Sequence, residues 1–152
     1  MNSIANEIYP NLWLGDIHSA TNVRFLKEKG INCIINCTES LPFPNLPQII
    51  KKYRVAVKDN LQPDQIYKLY TYLDVTVTKM YNLLKKGNKI LVHCHARKQR
   101  SVAIIIAFLM KYAQLSKEES ILLLRTKRDI AGLPVINFDK ALAQYESDLR
   151  GQ

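Results

Sequence analysis

Short apolar runs and longer amphipathic stretches follow one another along the chain, a pattern that predicts strands alternating with helices. The strand-like segments are residues 8–9, 12–14, 31–37, 53–57 and 89–92. The helix-like segments are residues 19–29, 66–84, 101–112, 116–125 and 137–150. Strands separated by helices indicate an α/β fold in which helices cover both faces of a sheet.

Glycines and capping residues predict where several of these segments begin and end. Gly30 follows the first helix-like segment and Gly87 follows the longest one, the place where a left-handed glycine commonly ends a helix. Ser116 and Glu119 have the spacing of a capping box, and Asn137 stands where an N-cap of the last helix is expected.

The composition is that of a globular protein with an excess of positive charge. Of the 152 residues, 47% are hydrophobic and 23% are charged, and no linker interrupts the chain, so residues 1–152 are predicted to form a single domain. The formal net charge of +9 suits an anionic partner such as a phosphorylated protein, a nucleic acid or an acidic membrane surface. A solvated basic face would carry the same charge without such a partner.

Cysteine usage and the N-terminal sequence favour a reducing compartment. Three cysteines without framework spacing argue against a secreted disulfide scaffold. The N-terminal segment does not resemble a signal peptide, and the longest apolar run, residues 102–110, is too short to span a bilayer. We expect a cytoplasmic protein, with the nucleus also open, that neither inserts into a membrane nor uses a metal or another cofactor, since its histidines lack ligand spacing.

Residues 90–101, with the sequence ILVHCHARKQRS, carry the most chemical information. A strand-like run leads into Cys94, five residues follow, and Arg100 and Ser101 open a long apolar helix. The backbone N–H groups of such a loop, with a helix N-terminus behind them, bind phosphate oxyanions and favour a thiolate. Arg100 can hold two phosphoryl oxygens with its planar guanidinium. The arrangement predicts a phosphate hydrolase in which Cys94 attacks phosphorus and forms a covalent thiophosphate intermediate.

Hydrolysis of a phosphomonoester also requires an acid that protonates the leaving oxygen. Asp59 follows a predicted strand and precedes the longest predicted helix, so its side chain could reach over the loop. Asp64 is the rival, although Pro63 and Asp64 look like a helix start, where a carboxylate has a structural reason to be. We therefore predict that Asp59 is the general acid.

Two neighbours of Cys94 each have two interpretations. His93 either orients the nucleophile through hydrogen bonds to nearby backbone or is a buried histidine with a structural role. Ser101 either donates a hydrogen bond to the sulfur, which stabilises the thiolate when it leaves, or only caps the following helix.

These residues resemble the small dual-specificity phosphatases, cysteine-dependent enzymes with a His-Cys-x5-Arg-Ser/Thr signature. The resemblance covers EIYPNLWLGD, GINCIINCTE, YRVAVKDN, the signature segment VHCHARKQRSVAIIIAFLM and RDIAGLPVINFDKALAQYE, so it runs nearly end to end. It implies a protein tyrosine phosphatase-like fold with a central mixed, mostly parallel sheet. The catalytic residues that it implies are Cys94, Arg100, Asp59, Ser101 and His93.

The resemblance also implies which loop residues bind the phosphoryl group and what is unusual about them. Arg97 stands where the family usually has a glycine, whose backbone angles cost other residues about 1–2 kcal/mol, so the loop is expected to be strained, differently shaped or less active than is usual in the family. In relatives that act on phosphoinositides, basic residues occupy the positions that His95 and Lys98 occupy here, and other relatives remove phosphate from RNA 5′ ends. The predicted substrate-binding residues are His95, Ala96, Arg97, Lys98, Gln99 and Arg100. In the alternative interpretation, Arg97 and Lys98 point to solvent and only add to a general attraction for anions.

A second cysteine has a counterpart in several relatives. In those proteins a cysteine near the position of Cys37 forms a reversible disulfide with the nucleophile, whereas an ordinary buried cysteine is the alternative interpretation here.

The sequence therefore predicts a dual-specificity phosphatase that hydrolyses phosphotyrosine and phosphoserine/threonine in phosphorylated protein partners without a metal. Two alternatives remain open. One is a phosphatase for a non-protein polyanion, either RNA 5′-phosphates or a phosphoinositide. The other is a phosphate-binding module with little activity.

Overall fold

A five-stranded sheet forms the centre of the computed structural model, which describes residues 5–95, 99–127 and 136–151. In chain order its strands are β1 (Asn6–Tyr9), β2 (Leu12–Gly15), β3 (Cys33–Asn36), β4 (Lys51–Arg54) and β5 (Ile90–His93). Their spatial order is β1-β2-β5-β3-β4, with β1 antiparallel to β2 and every other neighbouring pair parallel. The predicted mixed, mostly parallel sheet is therefore confirmed, and β5 lies at its centre.

Helices cover both faces of this sheet, as the sequence predicts. They are α1 (Ile17–Ala20), α2 (Val23–Glu28), α3 (Pro63–Lys85), α4 (Arg100–Tyr112), α5 (Lys117–Lys127) and α6 (Asp139–Arg150). Ile34 and Leu91 pack with apolar side chains of α1 and α2 on one face. Ile35 and Val92, the next residues along the same strands, pack with side chains of α3 to α6 on the other face. Because successive side chains of a strand point to opposite faces, the sheet has one apolar cluster on each face.

The central strand and the helix that follows the loop are the most deeply buried elements. All four residues of β5 are buried, and so are residues 101–110 of α4. A strand covered on both faces has a continuous apolar run, which is why the sequence predicts this strand and helix correctly. Their burial gives the loop between them a rigid support.

The helical segment predicted at residues 19–29 is two short helices in the structure. Asp16 caps α1, because its Oδ1 accepts a hydrogen bond of 3.0 Å from the backbone N–H of Ser19. Asn22 caps α2 in the same way, accepting from the N–H of Phe25 at 2.9 Å. The prediction of one helix was wrong because the second cap, Asn22, starts a new helix within the segment.

The other boundary predictions differ in outcome. The strand predicted at residues 53–57 is shifted, since β4 ends at Arg54. The capping box before α5 is confirmed: the N–H of Glu119 donates to Ser116 Oγ at 3.0 Å, and the N–H of Ser116 donates to Glu119 Oε1 at 2.8 Å. Asn137 as the cap of α6 was wrong, because the N-cap is Phe138 and no side chain caps it.

Within the three described stretches, every helix is too short or too polar to cross a membrane.

Candidate active site

The strand–loop–helix unit of β5 and α4 brings Cys94 and Ser101 together. Cys94 directly follows β5, Ser101 lies in the first turn of α4, and both residues are buried. The Sγ atom of Cys94 is 3.1 Å from the Oγ atom of Ser101. Since the N-cap of α4 is Gln99, the Ser101 hydroxyl does not cap the helix. The geometry therefore supports the interpretation in which this hydroxyl contacts the sulfur.

His93 is fully buried at the end of β5, with its ring against the backbone of the candidate nucleophile. Its Nδ1 atom is 3.1 Å from the carbonyl oxygen of Cys94. Burial lowers the pKa of His93, mainly because a charged imidazole would lose its hydration there. A neutral ring donates from Nδ1 to this carbonyl, so His93 is a buried histidine that is hydrogen-bonded to the backbone of Cys94.

Arg100 connects the start of α4 to the segment that contains Asp59. Its Nη1 atom donates a 3.0 Å hydrogen bond to the carbonyl oxygen of Val57, two residues before Asp59. Its Nε atom is buried and has no acceptor among the residues that the structure describes. The guanidinium is therefore oriented by one bond while another N–H remains for an oxyanion.

Asp59 lies in an exposed loop whose shape is set by the first turn of α3. The backbone N–H of Lys58 donates to Gln65 Oε1 at 2.9 Å, and the N–H of Gln62 donates to Asn60 Oδ1 at 3.1 Å. We refer to residues 57–62 as the acid loop. Asp64, the rival candidate, stands in the first turn of α3 next to Pro63, which is the structural position predicted for it.

A second connection joins the acid loop to the loop after Cys94. The Nδ2 atom of Asn137 donates to Asp59 Oδ1 at 2.8 Å, and the backbone N–H of Asn137 donates to Gln99 Oε1 at 2.7 Å. Gln99 is buried, so its side chain points inward toward the segment before α6. Gln99 was predicted to bind substrate. In the structure its side-chain oxygen instead accepts the hydrogen bond from Asn137.

The other predicted substrate-binding residues are only partly within the described chain. His95 is exposed, and its carbonyl oxygen accepts a 3.3 Å hydrogen bond from the N–H of Ile17 at the start of α1. Ala96, Arg97 and Lys98 lie outside the described residues. The expectation that Arg97 strains the loop therefore stays a prediction.

Cys37 and Cys94 each follow a register pair of β3 and β5 by one residue, just beyond the ends of these two strands. The paired residues are Asn36 and His93, and the N–H of Cys37 donates to the carbonyl oxygen of His93 at 2.7 Å. Burial raises the pKa of the Cys37 thiol, the charge of Cys94 raises it further, and Arg100 partly offsets both effects. Cys37 is therefore a buried protonated thiol next to the candidate nucleophile.

Sequence reasoning missed two features of this site, and for different reasons. Asn137 is a polar residue just before a helix, and this position is typical of a cap, so its contact with Asp59 gave no signal of its own. The bond from Arg100 to Val57 uses a backbone carbonyl, which leaves no mark on the sequence at all. Both contacts bridge residues far apart in the chain, and only the fold brings them together.

Comparison with known proteins identifies the family. The dual specificity phosphatase catalytic domain matches residues 12–148. Dual specificity protein phosphatase 14 of Mus musculus is 34% identical over 146 residues, which cover 96% of this chain and 71% of the relative. Dual specificity protein phosphatase 1B of Arabidopsis thaliana is 29% identical over 146 residues, covering 96% of this chain and 84% of the relative. The crystal structure of a variant of human DUSP28 has a TM-score of 0.88 at 27% identity and covers 99% of both chains. The chain thus belongs to the dual specificity phosphatase family and is a hydrolase of the protein tyrosine and dual specificity phosphatase type.

Proposed function

We propose that this chain hydrolyses phosphotyrosine and phosphoserine/threonine in proteins through a thiophosphate intermediate on Cys94. The observation that carries the proposal is the 3.1 Å contact between Cys94 Sγ and Ser101 Oγ at the junction of β5 and α4. A buried thiol that directly follows the central strand, with a helix N-terminus behind it, is suited to attack the phosphorus of a bound phosphoryl group. Phosphorylated proteins are the substrates on which phosphatases of this family act.

In the first step the Cys94 thiolate attacks phosphorus and the bond to the leaving oxygen breaks. Arg100, held by the Val57 carbonyl at 3.0 Å, directs its remaining N–H groups at the non-bridging oxygens. Asp59 donates its proton to the leaving alkoxide or phenoxide, which would otherwise leave poorly.

In the second step water attacks the thiophosphate and the bond between sulfur and phosphorus breaks. Asp59, now a carboxylate, accepts a proton from the water. The Ser101 hydroxyl donates to the departing thiolate, which needs stabilisation because it is buried. No step requires a metal, so activity should persist in EDTA.

Rapid mixing with an aryl phosphate in EDTA tests this proposal. We expect a burst of aryl alcohol of one equivalent per protein and then steady turnover, and a phosphorylated protein should be trapped by acid quench and detected by mass. Cys94→Ser should abolish both. Cys33→Ala, which removes another buried thiol at the start of β3, is the matched control and should keep the burst. Wild-type protein that binds phosphopeptide without any turnover would overturn the proposal.

The charge of the molecule supports a second candidate, a phosphatase for a non-protein polyanion. The net charge is +9, and His95 is exposed in the loop after Cys94. We expect higher kcat/KM on phosphotyrosine and phosphothreonine peptides than on triphosphate-ended RNA or inositol lipids. The reverse order in a side-by-side assay at equal ionic strength would favour the second candidate.

A further inference from the structure

Three segments that are far apart in the sequence meet in a chain of hydrogen bonds beside the candidate active site. Gln99, the last residue before α4, accepts from the backbone of Asn137, and the side chain of Asn137 donates to Asp59. The bonds are 2.7 and 2.8 Å long and join residues separated by 38 and 78 positions. The acid loop is thereby connected to the loop that follows Cys94.

The other hydrogen bonds of the acid loop do not hold the Asp59 carboxylate. The bond from Lys58 to Gln65 holds the loop against the first turn of α3, and the bond from Gln62 to Asn60 lies within the loop. The bond from Arg100 to Val57 fixes the backbone two residues before Asp59. Only the contact with Asn137 acts on the Asp59 carboxylate itself among the hydrogen bonds identified in the described stretches.

An exposed carboxylate requires such a contact if it is to act as an acid. The Asp59 side chain is open to solvent and could adopt several rotamers, each with the carboxyl group in a different place. Misplacement of a catalytic group by about 1 Å can cost on the order of 100-fold in rate. The buried Gln99 fixes the backbone of Asn137, and Asn137 in turn fixes one carboxyl oxygen.

We propose that Asn137 is the positioning residue of the general acid, with Gln99 as its support. This inference rests on the proposed function. The Asn137 Nδ2–H group donates to Oδ1 of Asp59, so Oδ1 is the acceptor in both protonation states and the proton resides on Oδ2. That oxygen delivers the proton to the leaving group in the first step and takes one from water in the second. The hydrogen bonds identified for Asn137 in the described stretches go to Asp59 and Gln99, so its effect on the reaction is exerted through Asp59.

The dependence of the rate on the leaving group distinguishes positioning from a purely structural role. A good leaving group such as nitrophenolate departs without much help, whereas phenolate or an alkoxide requires protonation. We expect Asn137→Ala to leave kcat/KM for nitrophenyl phosphate within about threefold and to lower it for phenyl phosphate by about 10- to 100-fold, the general contribution of a positioned acid being about 10²–10⁴-fold. A plot of log kcat/KM against leaving-group pKa should therefore become steeper.

Controls make the result specific to Asp59. In an Asp59→Asn background, Asn137→Ala should lower kcat/KM no further, because the group that it positions is already gone. Gln99→Ala should steepen the plot in the same direction. Asn82→Ala, at an exposed site on α3, is the matched amide deletion and should leave the slope unchanged. With nitrophenyl phosphate, Asn137→Ala should keep the burst of the wild-type protein, because this leaving group departs without much help from the acid.

The outcomes separate this inference from the proposed function. An unchanged slope in Asn137→Ala, or an equal loss on all leaving groups that persists in the Asp59→Asn background, overturns the positioning role while the Cys94-dependent burst stands. Absence of any turnover of aryl phosphates by the wild-type protein overturns the proposed function and the positioning role with it.

Discussion

At the residue scale, the Ser101 hydroxyl contributes differently to the two chemical steps. Ser101 Oγ lies 3.1 Å from Cys94 Sγ, and its partner changes from a nucleophile in the first step to a leaving group in the second. A hydrogen bond to a charged group contributes about 1.5–3 kcal/mol, which corresponds to roughly a 10- to 100-fold change in rate. The second step, in which the buried thiolate is released, depends on this bond more than the first.

Ser101→Ala should therefore slow hydrolysis of the thiophosphate more than its formation. We expect steady-state turnover of an aryl phosphate to fall by about 10- to 100-fold, with the burst retained and the phosphorylated protein accumulating. Rapid-quench kinetics with detection of the intermediate by mass measures both steps. Ser120→Ala is the matched control, because Ser120 Oγ is also buried and has no partner within the described part of the chain. A variant that loses the burst and turnover equally would contradict this role.

Residues differ in how well the sequence alone reveals their part in the site. The order Cys94, Arg100 and Ser101 is local, and a strand and helix on either side suffice to predict that these groups converge. The position of Asp59 in the acid loop was also predicted from its place after a strand. Asn137 was wrongly interpreted as a helix cap because its actual partner is 78 positions away and only the assembled fold brings it there.

At the element scale, the junction of β2 and α1 is the tightest place in the described chain that involves a glycine. A Cβ atom on Gly15 would lie 2.4 Å from Ser19 Oγ and 2.7 Å from Ser19 Cβ. Ser19 forms the capping box of α1 with Asp16. The backbone N–H of Ile17, the residue after Asp16, donates to the carbonyl oxygen of His95. The close approach of strand and helix therefore also supports the loop after Cys94.

Gly15→Ala should destabilise the protein by about 1–3 kcal/mol, the usual cost of overpacking. Urea unfolding followed by circular dichroism measures the change in the free energy of unfolding. The matched experiment repeats the substitution in a Ser19→Gly background, where the two nearest atoms are gone and the cost of Gly15→Ala should be smaller. Equal costs in the two backgrounds would show that the contact with Ser19 is not the cause.

Long and buried elements were predicted more accurately than short ones for a physical reason. The 23 residues of α3 repeat their apolar face over many turns, and the buried run of β5 and α4 has no competing interpretation. The α1 and α2 helices have four and six residues, too few for a period to show, and their caps decide the boundary. Strand β4 is shifted because it is only half-buried and its apolar pattern is weak.

At the scale of the whole molecule, two buried cysteines and a buried tyrosine link the stability of the protein to pH. Burial raises the pKa of Cys33 from its ordinary value of 9.0 to about 12, and Lys51 and Lys79 only partly offset this effect. Burial also raises the pKa values of Cys37 and of Tyr145, the latter with a further contribution from Asp74. All three groups are neutral in the folded protein and would ionise more readily in the unfolded chain.

These shifts predict that the protein loses stability on the alkaline side. A group whose pKa is raised by folding contributes its full stability below the unfolded pKa, and this contribution is lost as the pH rises from about 9 through the folded pKa, near 12 for Cys33. For one such group the loss is at most about 1.4 kcal/mol per pH unit. The free energy of unfolding, from urea titrations in a reductant between pH 8 and 11, should therefore decrease steeply above pH 9.

Cys33→Ala removes one titrating thiol. Its free energy of unfolding should therefore fall less steeply with pH, by up to about 1.4 kcal/mol per pH unit, even if its stability at pH 8 is lower. Parallel curves for the two proteins would show that Cys33 does not contribute to the alkaline loss.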